Sequence, residues 1–296
     1  LIMSLVLLLF QDRIRDLEDK REEPAALTIR TSSGEDAATG SLERKQKMTI
    51  HFIDVGQGEA IFIDYGEIEI LIDGGGNPQG ALVVDYIAPF VDGNLERVVA
   101  THIHADHIGG LDRVIDAFDV EWILDSGDTA NTVTFRDYYA AVFAEEDAMF
   151  VFDEDMAIDL DEAAVFYVIE TGDGDRNPNN NSVVTMIEFG STKVLFTGDM
   201  ETPVELSNLT RFSDVDVLKA GHHGSVTSSS VEFLSVVQPE YVVISSGKDN
   251  KYGHPHREVV DRFRRSGATV FNTAEAGTIV MTTDGSAFDL STQFAN

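Results

Sequence analysis

The chain has 296 residues, with 52 Asp plus Glu against 21 Lys plus Arg, a formal net charge of −31 and no cysteine. That length allows one large domain or two small ones, and 43% hydrophobic residues suffice for a core, which excludes wholesale disorder. Without cysteine there is no disulfide, thiol nucleophile or thiolate metal site, and the acidic balance argues against a basic nucleic-acid binder without excluding a nuclease whose bound cations supply positive charge. Residues 1–10, LIMSLVLLLF, are almost all apolar, yet a bilayer span needs about 20 such residues, so no membrane span is expected. A signal's basic start and small-residue cleavage site are not visible. The segment reads either as a truncated signal or anchor or as a short helix packed on the domain. Residues 11–23 are dense in charge and helix formers, and residues 31–47 mix Ser, Thr, Gly and charge as a linker. Residues 1–47 are thus expected to precede a folded domain spanning 48–296.

From Met48 the chain alternates β-rich runs with helix-like segments. MTIHFIDV (48–55), AIFIDY (60–65) and EIEILID (67–73) predict three strands, broken by Gly56-Gln57-Gly58 and by Gly66, before Gly74-Gly75-Gly76 forces a loop. A helix over 81–91, a strand over 96–101, helical spacing over 108–118, a strand over 121–124 and a helix over 132–146 follow. Next come strands at 165–170, 183–189, 192–197, 215–219 and 241–245, and helices near 227–236 and 256–265. The end, 268–291, reads as strands with turns at Gly277 and Asp284-Gly285. No repeat of 20–50 residues is present, so a solenoid is not expected, and the mixed elements predict a layered α/β or α+β domain.

Seven of the eight histidines fall in three clusters. The first is His102-Ile103-His104-Ala105-Asp106-His107, after a strand. Strand alternation puts His102 and His104 on one side, and the turn toward Gly109-Gly110 lets Asp106 and His107 face a neighbouring position. Three imidazoles and a carboxylate within six residues suit zinc, manganese or iron. The bland alternative, a polar loop that happens to be rich in histidine, is weakened because the theme recurs. Lys219-Ala220-Gly221-His222-His223-Gly224-Ser225 follows a second apolar strand, and Tyr252-Gly253-His254-Pro255-His256 lies beyond a third. Between them, Asp199 emerges from Phe196-Thr197-Gly198, well placed to bridge two ions. Ligands at strand ends are held by a rigid sheet.

These motifs resemble the metallo-β-lactamase superfamily, and more narrowly the soluble hydrolase domain of ComEC competence proteins. The matching pieces are FIDVGQGEAIFI (52–63), LIDGG (71–75), THIHADHIGG (101–110), NNNSVV (179–184), LFTGD (195–199), KAGHHGS (219–225) and YGHP (252–255), in the family's order over roughly 48–291. The resemblance implies an α+β fold, a four-layered αβ/βα sandwich with a two-metal site. It implies that His102 and His104 bind the first ion, Asp106 and His107 the second, that Asp199 bridges both, and that His254 is the last ligand of the second. Many members place a further first-site histidine where this chain has Asn179-Asn180-Asn181-Ser182. The missing ligand is then expected from the His222-His223 pair, with the other histidine contacting substrate or donating a proton. Asp73 is expected to orient the metal-binding loop. Asp54 and Gln57 either support the site floor or form a polar turn, and Asn181 and Ser182 either hold a phosphate or cap a strand. His256 is expected to be structural, at the start of a helix, and His51 lies remote from every motif.

The resemblance implies a hydrolase with two divalent ions, zinc or manganese, that activate a water, with Asp106 orienting it. The fold does not fix the substrate. DNA is the leading expectation, cleaved by a phosphodiesterase or nuclease outside the cell or at its surface. The alternatives are a small phosphoester such as phosphorylcholine, a thioester or a lactone, and a metal-binding protein without turnover. Arginine (14) exceeds lysine (7) and acid is spread along the whole chain, as in proteins of salt-loving organisms. At about 1 M salt a Debye length of about 3 Å would screen the self-repulsion.

Overall fold

The computed structural model describes residues 46–145, 148–152, 155–172 and 174–294. The expectations for residues 1–45 lie outside them. Strands β1 (Met48–Phe52), β2 (Ile61–Asp64) and β3 (Glu69–Ile72) form an antiparallel meander. Strands β4 (Leu95–Ala100), β5 (Val120–Asp125) and β6 (Met149–Phe152) extend it in parallel. On the far side of β1 lie β14 (Ile279–Thr283) and β15 (Phe288–Thr292), both antiparallel. The second sheet joins β7 (Met156–Asp159), β8 (Ala164–Ile169), β9 (Val184–Phe189) and β10 (Thr192–Phe196) antiparallel. It then continues in parallel through β11 (Val217–Lys219), β12 (Tyr241–Ile244) and β13 (Thr269–Asn272).

Period-two alternation decides how the sheets stack. Ile50, Phe52, Ile61, Ile63, Ile70 and Ile72 of the first sheet share one buried core with Phe166, Ile187, Val194, Phe196, Val217 and Val243 of the second. The opposite face of β1 and β2 carries His51 and Phe62, which meet Phe90 just past helix α1 (Gly80–Ile87). His51 also bonds Tyr86 Oη at 2.9 Å and Thr49 Oγ1 at 3.1 Å, so it is a satisfied core residue. The outer face of the second sheet, through Leu195, Leu218, Val242 and Ile244, packs on Phe233, Leu234, Val237, Val259 and Phe263. These belong to two further helices, at Val231–Val237 and Arg257–Arg265. The layers therefore run helix, sheet, sheet, helix, the four-layered α+β sandwich. β12 is buried on both faces from Val242 to Ile244, which is why VVI reads as one continuous apolar run. Among the described residues no helix is long and apolar enough to cross a membrane.

Three expectations are corrected. The helical run over 108–118 is two short helices, α2 (Ala105–Ile108) and α3 (Leu111–Ile115), parted at Gly109-Gly110. A Cβ on Gly110 would lie 2.1 Å from Gly74 O, so the glycine lets the loop after β4 press against the loop after β3. Strands β6 and β7 were not expected, because acidic residues interrupt the apolar alternation around them. Further along, α4 (Val133–Ala144) is capped by Thr132, whose Oγ1 accepts from Phe135 N at 3.1 Å. It is followed by α5 (Thr202–Ser207), which was not expected, then by α6 and α7, the two helices already given over 231–237 and 257–265.

Candidate metal centre

Residues just past the carboxyl ends of β3, β4, β10, β11 and β12 meet in one site. From β3 comes Asp73, held at φ 58. Its Oδ1 accepts from Thr101 N at 2.9 Å, and its Oδ2 accepts from Thr101 Oγ1 at 2.7 Å and lies 2.6 Å from His107 Nδ1. This carboxylate therefore fixes the ring of His107 and leaves Nε2 facing inward, as outer partners of ligand histidines do. Thr101 and His102 follow β4. Beyond β10, Asp199 N donates to Ser182 Oγ at 3.0 Å, and Ser182 Oγ donates to Asn179 O at 2.8 Å.

The two oxygens of Asp199 face two sets of imidazoles. His102 Nε2 and His222 Nε2 lie 3.7 and 3.6 Å from Oδ2, with His104 Nδ1 3.0 Å from His102 Nε2. His107 Nε2 and His223 Nε2 lie 3.4 and 3.7 Å from Oδ1, with Asp106 Oδ2 3.5 Å from His223 Nε2. The histidine pair is thus divided: His222 stands with the first set and His223 with the second. Both adopt left-handed backbone, φ 48 and φ 53, which is strained for residues with a Cβ and is characteristic of functional turns. Each ring is fixed from behind. His222 Nδ1 lies 3.2 Å from Glu201 Oε1 and 3.1 Å from Thr227 Oγ1, and His223 Nδ1 lies 2.9 Å from Ser245 O. His102, His107, His223 and Asp199 form a buried floor, while His104, Asp106 and His222 are partly open to solvent.

This donor set fits a divalent cation. Asp199 Oδ1 is buried without a hydrogen bond, and imidazole nitrogens face one another at 3.0 Å and 3.2 Å. His102, His107 and Asp199 place ligand atoms within 4.8 Å of one another, and so do Asp106, His107 and His223. Protons answer the same crowding in part. Burial opposes charge on His107, yet Asp199 and Asp73 outweigh it and hold its pKa well above the usual value. Burial opposes ionisation of Asp199, but His223, His107 and His102 hold it well below the carboxylate range. For Asp106 burial is likewise outweighed, by His223 and His107. Burial, with His107 adding to it, pushes His102 and His104 down.

His254 lies beside these sets rather than within them: its ring centroid is 5.5 Å from that of His222 and 6.3 Å from that of His223. Burial, then His223 and His222, lower its pKa to about 4, so the ring is neutral, and its Nδ1 is buried without a partner. Asp54 does not reach the centre; its Oδ1 accepts from Gly56 N at 3.0 Å and closes the turn. Gln57 Oε1 accepts from Gly247 N at 3.2 Å and ties that turn to the loop carrying His254. Asn181 donates to Asp128 Oδ2 at 2.8 Å and to Asp175 O at 3.0 Å. Asn181 and Ser182 thus spend these bonds on the protein itself. His256 Nδ1 accepts from Val226 N at 3.2 Å and precedes α7.

Three residues of the centre were not expected from the sequence. Glu59 and Lys219 form an ion pair with both side chains fully buried, and Glu59 lies within 4.8 Å of Asp199 and His223. The signal was present, because a lone charge inside an apolar run requires a buried partner. Glu201, which holds His222, Asn177 and Asn179, left no such mark.

Residues 53–248 match the family described as the Metallo-beta-lactamase superfamily. The chain belongs to the metallo-β-lactamase superfamily. It is 28% identical over 253 residues to the ComE operon protein 3 of Bacillus subtilis, covering 78% of this chain and 32% of that protein. It is 30% identical over 240 residues to the Recombination protein 2 of Haemophilus influenzae, covering 79% of this chain and 29% of that protein. The chain therefore spans about a third of the length of these relatives. Among solved structures, the metallo-beta-lactamase fold protein YhfI of Bacillus subtilis superposes with a TM-score of 0.52 at 14% identity, covering 77% of this chain and 96% of that one. Membership makes the chain a metal-dependent hydrolase by family, and its converging His and Asp side chains are the residues able to hold the metal.

Proposed function

We propose that this metallo-β-lactamase relative is a two-metal phosphodiesterase that cleaves DNA in a salty medium, outside the cell or at its surface. The carrying observation is Asp199, whose two oxygens face separate imidazole sets. In this reading His102, His104 and His222 hold the first ion, and Asp106, His107 and His223, with the neutral His254 beside them, hold the second. Zinc or manganese fits such ligands. Divalent ions held by these residues would supply a water of lowered pKa and positive charge against the phosphoryl group. The chain's own residues do the rest. Asp73, Glu201 and the Ser245 carbonyl fix the ligand rings, and ionised Asp106, on the open side, orients the attacking water. The motif likeness to the hydrolase domain of competence proteins supports DNA as the substrate.

A small phosphodiester is the second reading, favoured by the net charge of −31, which repels a polyanion at low salt. The test is purified protein in high salt with Mn²⁺ or Zn²⁺, offered single- and double-stranded DNA, bis-p-nitrophenyl phosphate, a thioester and a lactone, with metal content measured alongside. Metal-dependent DNA cleavage that rises from low salt toward about 1 M and is lost in His102→Ala/Asp199→Ala is expected. Turnover of the small ester alone would overturn the DNA assignment and leave the second reading. Thioester or lactone turnover alone would overturn both. Stoichiometric metal without turnover of any ester would support a binding protein.

A further inference from the structure

The loop between β12 and α7 carries two of the chain's seven lysines, Lys248 and Lys251. Both are exposed. Next to them Tyr252 leaves 51% of its surface open. The ring is not loose. Asn250 Oδ1 accepts from Tyr252 N at 3.1 Å and from His254 N at 3.0 Å, Asn250 Nδ2 donates to Gly247 O at 2.8 Å, and Gly247 is tied to Gln57. Tyr252 stacks on the imidazole of His254, centroids 5.6 Å apart and planes 23° apart, and the Lys251 ammonium lies 4.7 Å from its centroid. The imidazole of His254 in turn lies 5.5 Å from that of His222 in the metal centre. An aromatic surface thus leads outward from the metal centre, with the Lys251 ammonium over its outermost ring, in a protein that is otherwise strongly anionic.

We propose that Tyr252 is a stacking platform for a base of a single-stranded polynucleotide next to the scissile phosphate, that the base takes the place over the ring held here by the Lys251 ammonium, and that Lys251 and Lys248 then meet the neighbouring phosphates. The assignment rests on the phosphodiesterase reading above and narrows it to single strands, because a base in a duplex has no free face for the ring. Stacking on an aromatic ring tolerates any base, so cleavage there is sequence-tolerant. A phosphoester without a base, such as phosphorylcholine, needs neither the ring nor the lysines.

The experiment is fluorescence anisotropy with a labelled eight-nucleotide thymidine strand in Ca²⁺ buffer, read beside steady-state cleavage in Mn²⁺. Tyr252→Ala should weaken binding about tenfold and raise KM by a similar factor with kcat little changed, as expected for loss of one stacked base. Tyr252→Phe should behave as wild type. A strand with one abasic position beside the cut site should bind wild type about tenfold more weakly and erase the difference between wild type and Tyr252→Ala. Lys251→Ala should flatten the salt dependence of binding. If DNA is cleaved and Tyr252→Ala binds and cleaves as wild type does, the platform is wrong while the phosphodiesterase reading stands. If the abasic strand still separates the two proteins, the ring does not act through a base. If the wild type neither binds nor cleaves any strand, the platform and the DNA assignment fall together.

Discussion

Strand β3 carries a buried carboxyl group at each end, and the two ends have opposite electrostatics. At its carboxyl end Asp73 joins Asp106, Asp199 and Glu59, and these acids face His102, His107, His223 and Lys219. At its amino end Glu69 is 1% exposed, and the charged groups that bear most on it are all acids, Glu96, Asp92 and Asp64. Burial and then Glu96 raise the Glu69 pKa to about 8, whereas Asp199 stays ionised despite its burial. A buried carboxylate keeps its charge only where the chain supplies an opposing one. The net charge of −31 describes neither end.

The contrast breaks most sharply if the compensated end loses its cation. Lys219→Met should lower unfolding stability by about 3–5 kcal/mol, because it leaves Glu59 buried and unpaired. Chemical denaturation of the metal-free protein measures it, and adding Glu59→Gln should restore most of the loss. An unchanged midpoint in the single variant would mean that Glu59 carries a proton and that the pair is not ionic.

A smaller effect tests whether the compensated end is a binding site or only a neutralised core. Glu201 touches His222 from outside the two ligand sets. Glu201→Ala should weaken metal binding roughly 10- to 100-fold by freeing that ring. Titration calorimetry with Mn²⁺ or Zn²⁺ reads this directly, and equal affinity in the variant would remove His222 from the ligand set.

The sequence displayed this compensated end unevenly. His102, His104, Asp106, His107 and Asp199 were legible because a motif at a strand end leaves few places for the side chains to go. The division of His222 from His223 was not, since it depends on two consecutive left-handed residues sending their rings to different oxygens of Asp199. Glu201 follows Asp199 by two residues in a loop, where no periodicity marks direction. Fold class was legible from strand order and apolar runs. β7 was not, because its exposed and half-buried alternation in MAID is too shallow to stand out from the flanking acid. The uncompensated cluster was also hidden. Asp64 and Glu69 are paired by antiparallel register, and Glu96 reaches them across the sheet, accepting from Glu69 N at 2.7 Å.

That cluster gives the smallest effect and the one that sharpens the comparison most. The folded pKa of Glu69, about 8, lies above its ordinary 4.5, so the folded state holds the proton more tightly than the unfolded chain. The stability from this group is full below about pH 4.5 and is lost as pH rises through 8. Glu69→Gln keeps the shape and removes the titration. It should leave the melting temperature unchanged near pH 4.5 and raise stability at pH 8.5 by on the order of 1–2 kcal/mol, after allowance for screening. The gain should shrink in molar salt, because the like charges of Glu96, Asp92 and Asp64 are then screened from Glu69. Thermal melts at two pH values and two salt concentrations separate the cases. A gain equal at both pH values would trace to packing, and would mean that Glu69 stays ionised as Asp199 does.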